Sequence, residues 1–197
     1  CFRSSHVSSI ANDLSSEGIE ANSMKAYVTD LMQESSQIFT QLSGANGYRI
    51  SNVGGRGIMD SRAFQIFEGS NEMLYTQIGE MIAKLMRRQK EMNIYQFLKD
   101  FNLTQKACSF FKKDIDFTLM TGLSQRKMID LGKVFSRIIA SNFVIEMGES
   151  GFRKDLVTNC VNTIKVDVAT FISSFHAENT VTPIEDYKEK SWWYDFV

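Results

Sequence analysis

The sequence predicts an all-α protein, and two observations lead to that prediction. Apolar residues recur at intervals of three and four along most of the 197 residues, and no long stretch alternates apolar with polar residues as a strand would. Segments of about 20 residues are separated by short breaks, a pattern typical of antiparallel bundles. We therefore expect an antiparallel helical bundle over residues 1–90 and a second helical bundle over residues 91–197.

The first part of the chain should contain helices of unequal length. Residues 1–17 are helix-compatible, and a break at 17–20 separates them from the next helix, which Asn22 or Ser23 would cap. Ser70 should cap the last helix of this part. The expected segments are, in order, 1–17, 22–42, 58–67 and 71–90.

The second part continues the helical pattern. Gly122 interrupts it, and Ser124 is placed to cap the helix that follows. The expected segments are, in order, 94–101, 102–117, 125–147 and 152–177. The chain then ends in an aromatic tail, which we expect to dock on the bundle or on a partner because large apolar side chains are unfavourable in water. Its members are Trp192, Trp193, Tyr194 and Phe196.

A glycine-rich segment lies between the second and third expected helices. Two interpretations stay open for it: a flexible connector, or a backbone that must approach a ligand phosphate closely. Its glycines are Gly44, Gly47, Gly54, Gly55 and Gly57.

Charge argues against nucleic acid and anionic membranes as partners. The net charge is −1, with nine basic and nine acidic side chains in residues 1–90 and 13 and 14 in residues 91–197. Neither part therefore carries the basic surface that polyanions require.

The cysteines and histidines indicate neither a disulfide framework nor a metal site. Cys1, Cys108 and Cys160 are odd in number and far apart, which is typical of free thiols in a reducing, cytoplasmic compartment. His6 and His176 lack companions at metal-ligand spacing, so no metal is expected. No apolar run is long enough to predict a transmembrane helix.

One carboxylate stands out by its position. Glu68 ends a short apolar run and is followed directly by Gly69 and Ser70. It thus precedes a helix N-terminus on a loop rich in aromatic residues, where a carboxylate can be held rigidly and partly dry. Taken alone, Glu68 is better explained as a helix-capping carboxylate than as a functional one.

The surrounding motifs resemble the C-terminal signature of the acyl-CoA dehydrogenases. That family shows a glutamine, a Gly-Gly-x-Gly-aromatic loop, an Arg-Asp-Ala-basic-Ile helix and Ile-Tyr-Glu-Gly-Thr-x-Glu/Gln-Ile. The corresponding segments here are Gln41–Tyr48 (QLSGANGY), Met59–Ala63 (MDSRA) and Gln65–Met73 (QIFEGSNEM). The glutamine and glutamate lie 27 residues apart, and the signatures align without a gap. The resemblance covers about residues 1–90.

The resemblance implies a catalytic role for Glu68. It matches the base that removes the α-proton of an acyl-CoA thioester while the flavin accepts a hydride from the β-carbon. Phe67 and Gly69 would lie beside the acyl chain. The implied partners are an acyl-CoA substrate and an electron acceptor.

The resemblance also implies FAD and a homo-oligomer. In the family, one loop reaches the ADP part of the FAD of the other subunit, and the start of the next helix meets the FAD of its own subunit. The matching loop is Gln41, Leu42, Ser43, Gly44 and Ala45, and the matching helix start is Ser70, Asn71 and Glu72.

Two residues depart from the family pattern. Ala45 replaces the second glycine of the Gly-Gly pair, which alters how closely the backbone can approach a ligand. Met59 replaces the arginine before Asp60, so Asp60 would need Arg56 or Arg62 as its partner.

The family's N-terminal helical domain and central β-domain have no counterpart in these 197 residues. We therefore expect a C-terminal fragment of a flavoenzyme that is inactive by itself. The alternative is an oligomerisation or docking module without catalysis of its own. A third possibility, a flavin-containing relative that binds nucleic acid, is disfavoured by the neutral charge of both parts.

Overall fold

A computed structural model describes residues 18–177 and Tyr194, and within them no β-strand forms beyond one isolated bridge between Asn93 and Thr118. The all-α prediction is confirmed. The α-helices are α1 (Gly18–Leu42), α2 (Val53–Ile66), α3 (Asn71–Gln89), α4 (Ile94–Asp100), α5 (Lys112–Ile115), α6 (Gln125–Glu149) and α7 (Lys154–His176). Two 3₁₀ turns lie at Gly44–Asn46 and Cys108–Phe111. The expected helix over 1–17 and the docking of the aromatic tail lie outside the described residues, except for Tyr194.

Two helix starts differ from prediction. Helix α1 already includes Gly18, so Asn22 and Ser23 lie inside it and do not cap it. Helix α2 begins at Val53 and not at 58, because the side chain of Asn52 accepts a hydrogen bond from the backbone N–H of Gly54 (2.8 Å) and caps the helix there.

The glycines at the start of α2 serve helix packing. A Cβ on Gly54 would lie 2.8 Å from Thr40 Oγ1, and one on Gly57 would lie 3.1 Å from Ser36 Oγ. Gly54 thus meets Thr40 and Gly57 meets Ser36, so residue numbers increase along α2 where they decrease along α1. The two helices therefore run antiparallel and in close contact. The flexible-connector interpretation is therefore wrong for this part of the glycine-rich segment.

Helices α3 and α6 form the centre of the molecule and approach each other through two glycines. A Cβ on Gly132 would lie 1.9 Å from the carbonyl oxygen of Tyr75, and one on Gly79 would lie 2.6 Å from that of Met128. These contacts make α3 and α6 antiparallel neighbours. Helix α7 packs antiparallel on α6. Ser174 near the end of α7 donates a hydrogen bond to Asp130 near the start of α6 (2.9 Å).

The hydrophobic core is continuous from α1 to α7 and crosses the expected boundary at residue 90. Helix α6 packs on α1 and α3 as well as on α7. The division of the chain into two domains at that point stays a prediction. The largest fully buried core side chains are Tyr75, Ile78, Ile82, Met86, Ile94, Leu98, Phe111, Ile115, Leu131, Phe135, Ile138 and Ile139.

The predicted continuous helix over 102–117 is wrong. Turns, the second 3₁₀ segment and the short α5 replace it. The buried Thr104 hydroxyl donates to the carbonyl oxygen of Leu98 near the end of α4 (2.6 Å). This side-chain bond replaces a helical backbone bond, and the chain turns there. The end of this segment returns to the start of α4, where the N–H of Ile94 donates to the carbonyl oxygen of Phe117 (3.0 Å).

Candidate functional site

The turn that joins α2 to α3, Phe67–Ser70, has an unusual backbone. Glu68 has φ 59° and Gly69 has φ 99°, so two consecutive residues lie in or near the left-handed region. Glycine suits the second position because a Cβ there would also lie 2.9 Å from Met73 Cε. The glycine at position 69 therefore allows the backbone to make this turn.

Two side chains fix this turn. Ser70 caps α3 as predicted, since its hydroxyl accepts from the N–H of Met73 (3.3 Å). Lys25 Nζ on α1 donates to the carbonyl oxygen of Gly69 (2.8 Å) and to Asn71 Oδ1 (3.1 Å). Burial lowers the pKa of Lys25, and attraction to Glu68 partly opposes that effect. The sequence argument did not assign Lys25 a role at the site.

Glu68 itself is exposed, and Phe67 beside it is 67% exposed. The expectation of a partly dry carboxylate is therefore wrong for the described part of the chain. The turn is held from the α1 side, by Lys25, and its other side faces solvent.

A polar network lies directly beneath the turn. Asp30 Oδ1 on α1 accepts from Asn71 Nδ2 (2.6 Å) and from Gln65 Nε2 (2.8 Å), so it holds the residues that flank the turn on both sides. Asn71 is 4% exposed and also bonds Ala26 O (3.0 Å) and Thr29 Oγ1 (2.9 Å). The hydrogen bonds of its side chain thus go to residues of α1.

A buried arginine from α6 completes the network. Arg137 is 6% exposed, donates from Nη1 to the hydroxyl of Tyr75 (2.8 Å) and lies 3.7 Å from Asp30 Oδ2 through Nη2. The hydroxyl of Tyr75 in turn donates to Asp30 Oδ2 (2.5 Å). The guanidinium also lies over the ring of Tyr27 (4.4 Å to its centroid). Sequence reasoning did not single out Arg137, because its partners are distant in the chain.

We expect alkaline pH to unfold the protein through its buried tyrosines. Burial raises the pKa of Tyr27 to about 12, against about 10 in the unfolded chain, and also raises that of Tyr75. The folded state therefore keeps protons that the unfolded state releases, so the contribution is full below about pH 10 and falls as pH rises toward 12. Urea unfolding at about pH 9 and pH 11 measures the loss.

Tyr27→Phe provides the control for that prediction, because it removes the hydroxyl that titrates and keeps the ring. The variant should lose less stability than the parent between the two pH values. Equal losses in the two proteins would contradict the assignment to Tyr27.

The second group of predicted cofactor residues lies far from the turn. Gln41 and Leu42 end α1, and Gly44 and Ala45 lie in the exposed 3₁₀ turn that follows. Gln41 lies sixteen positions after Lys25, which touches the turn, so the two groups lie about 24 Å apart along α1. The structure does not bring them together.

The hairpin formed by α1 and α2 exposes several large apolar side chains, which together we call the hairpin surface. Its members are Leu31, Met32, Ile38, Phe39, Leu42, Val53, Met59, Phe64, Ile66 and Phe67, each at least 40% exposed. Met59, which departs from the family pattern, is one of these residues. Arg62, one of the two expected partners of Asp60, donates a hydrogen bond to Gln65 Oε1 (2.8 Å).

Across residues 18–177, no helix is long and apolar enough to cross a bilayer. The same residues hold no group of three or more potential metal ligands. The described cysteines, Cys108 and Cys160, are free thiols.

Comparison with known proteins gave one match. Residues 5–83 match the family model described as Acyl-CoA dehydrogenase, C-terminal domain. The matched segment includes α1, α2, the Glu68 turn and most of α3, and it ends before α6. No curated protein and no solved structure matched the chain.

Proposed function

We propose that residues 5–83, which match the family model of the acyl-CoA dehydrogenase C-terminal domain, supply the α-proton base of a flavin-dependent acyl-CoA dehydrogenase. The base is Glu68. The observation that supports this most is the turn itself: its left-handed backbone, the Ser70 cap and the Lys25 bond hold the backbone that carries an exposed carboxylate.

The proposed chemistry is an oxidation of the acyl chain. The α C–H bond breaks and its proton passes to a carboxylate oxygen of Glu68, while the α,β double bond forms. The β C–H bond breaks as well, and bound FAD would supply the acceptor for that hydride and the route of the electrons to an external acceptor. A carboxylate with a reference pKa of about 4.3 is a weak base in water. Covering the turn with substrate and flavin would exclude water from the reacting atoms, and a fixed geometry between Glu68 and the α-carbon would favour the proton transfer.

The residues at the start of α3 suit part of FAD. Helix α3 has 19 residues, and its free N–H groups and Ser70 hydroxyl could meet a pyrophosphate. Asn71 would contribute only its backbone, because its side chain is bonded to α1. Glu72 is exposed and must point away from the phosphates.

The loop Gln41–Ala45 would serve the FAD of a second copy. The exposed loop lies about 24 Å along α1 from Lys25, which touches the Glu68 turn, and this separation suits an arrangement in which the loop and the turn meet different flavins. The hairpin surface would then be covered by the second copy or by the other domains of the enzyme. We propose a homo-oligomer on that basis.

A docking module without catalysis is the second candidate. The hairpin surface favours it, because a partner would cover these ten exposed apolar side chains whether or not chemistry occurs nearby. A reducing, cytoplasmic compartment suits the two free thiols under either proposal.

The test is the flavin content and acyl-CoA turnover of the protein. We expect the 197-residue chain alone to hold no FAD and to turn over no acyl-CoA, because the family holds the flavin ring mainly through an N-terminal helical domain and a β-domain. Joined to those domains, it should bind FAD and dehydrogenate an acyl-CoA. Turnover by the chain alone would contradict the proposed inactivity, and a flavin-loaded assembly without turnover would favour the docking module.

A further inference from the structure

We infer that Arg137 is a positioning residue for the Glu68 turn. Helix α6 lies beyond the segment that matches the family model, yet its arginine reaches the polar network beneath the turn. The part of the chain that the family match leaves without a role would thus hold the candidate base in place. The catalytic consequence rests on the proposed function, whereas the mechanical link does not.

The first step of the link joins α6 to α1 and α3. Arg137 Nη1 donates to the Tyr75 hydroxyl (2.8 Å), and Nη2 lies 3.7 Å from Asp30 Oδ2. The Tyr75 hydroxyl donates to the same Asp30 oxygen (2.5 Å). One oxygen of Asp30 is therefore held from both α3 and α6.

The second step joins Asp30 to both sides of the turn. Its other oxygen, Oδ1, accepts from Gln65 near the end of α2 (2.8 Å) and from Asn71 at the start of α3 (2.6 Å). The rotamer of Asp30 thus sets the separation of the two helix ends that the turn connects.

The third step reaches the turn itself. Asn71 Oδ1 accepts from Lys25 Nζ (3.1 Å), and Lys25 Nζ also donates to the carbonyl oxygen of Gly69 (2.8 Å), the residue after Glu68. An unbroken series of side-chain contacts therefore connects Arg137 with the peptide next to the candidate base.

Arg137 is itself held rigidly. Its guanidinium lies 4.4 Å from the ring centroid of Tyr27 and 5.0 Å from that of Phe171, and the residue is 6% exposed. The planar group can bond Tyr75 and face Asp30 at once, which a lysine ammonium on its flexible stem cannot reproduce. If Arg137 is lost, the Asp30 carboxylate loses the guanidinium that lies 3.7 Å from its Oδ2.

Hydrogen–deuterium exchange of the full 197-residue chain tests the link. With Arg137→Met, we expect the hydrogen-bonded amides in 68–74, those of Met73 and Leu74, to exchange about tenfold faster or more, because a buried charged contact is lost, while the amides of 158–163 in α7, away from the Phe171 contact, keep their protection. Arg137→Lys should have a smaller effect. Tyr75→Phe, which removes only the connecting hydroxyl, should loosen the same residues and gives a second variant if Arg137→Met folds poorly.

Two controls separate positioning from general stability. Ile138→Val trims a core side chain next to Arg137 and should not speed exchange at 68–74 selectively. Arg153→Met removes an exposed arginine paired with Asp155 and should change neither region. Unchanged protection at 68–74 in Arg137→Met, or the same uniform loss as in Ile138→Val, would overturn the inference.

A kinetic measurement on the flavin-loaded assembly tests the consequence for catalysis. Arg137→Met should lower kcat for acyl-CoA with little change in KM, because the base is misplaced while the thioester site is intact. An unchanged kcat in a variant with a loosened turn would overturn the catalytic part. If Glu68→Gln also leaves turnover unchanged, the proposed function fails, and the exchange experiment still decides the link on its own.

Discussion

Replacing Glu68 with glutamine should lower kcat for acyl-CoA dehydrogenation by about a hundredfold to ten-thousandfold in the flavin-loaded protein, the usual contribution of a positioned acid or base. Glutamine has nearly the same shape but cannot take up the α-proton. The turn should survive the change, because Gly69, Ser70 and Lys25 fix it without the Glu68 side chain. Steady-state turnover together with the flavin content of the variant measures the effect.

Glu80→Gln is the matched control. Glu80 is an exposed carboxylate on the same helix, α3, more than two turns beyond the Ser70 cap. It should keep both flavin and turnover. A Glu68→Gln variant that turns over at the rate of Glu80→Gln would remove Glu68 as the base.

The largest effect on stability is expected from Gly132→Ala. The added Cβ would lie 1.9 Å from the carbonyl oxygen of Tyr75, which is backbone and cannot rotate away. Helices α3 and α6 would have to separate at the centre of the core, and we expect the free energy of unfolding to fall by about 3 kcal/mol. Equilibrium denaturation in urea measures this loss.

Gly148→Ala is the corresponding control in the same helix. Its Cβ would meet only the side chain of Val157, at 3.2 Å, and alanine favours helix by about 1 kcal/mol over glycine. The two effects oppose each other, so stability should change little. If Gly132→Ala were no less stable than Gly148→Ala, the close approach of α3 and α6 would be refuted.

Features that depend on neighbouring residues could be predicted from the sequence. The all-α class follows from the spacing of apolar residues, and Ser70 and Ser124 cap their helices as expected because the capping bond reaches only three residues ahead. The start of α2 was misplaced because Gly54 and Gly57 look like loop residues. They are glycines because α1 passes too close for a side chain.

Features that depend on distant residues could not be predicted. Arg137 meets partners more than 60 positions away in the sequence, and no local pattern shows that it is buried. Asn71 was expected to face a cofactor, yet its side chain bonds α1. Glu68 was expected to be partly dry, and its exposure depends on what covers the turn rather than on its neighbours in the chain.

The rate of flavin reduction in a single turnover tests the central claim most directly, because it isolates proton removal and hydride transfer from product release. The flavin-loaded protein is mixed with an excess of acyl-CoA, once as the parent and once as Glu68→Gln. We predict that the parent reduces its flavin rapidly and that the variant leaves its flavin oxidised while still binding the thioester. Reduction of the variant's flavin at the parent's rate would contradict the assignment of Glu68 as the α-proton base.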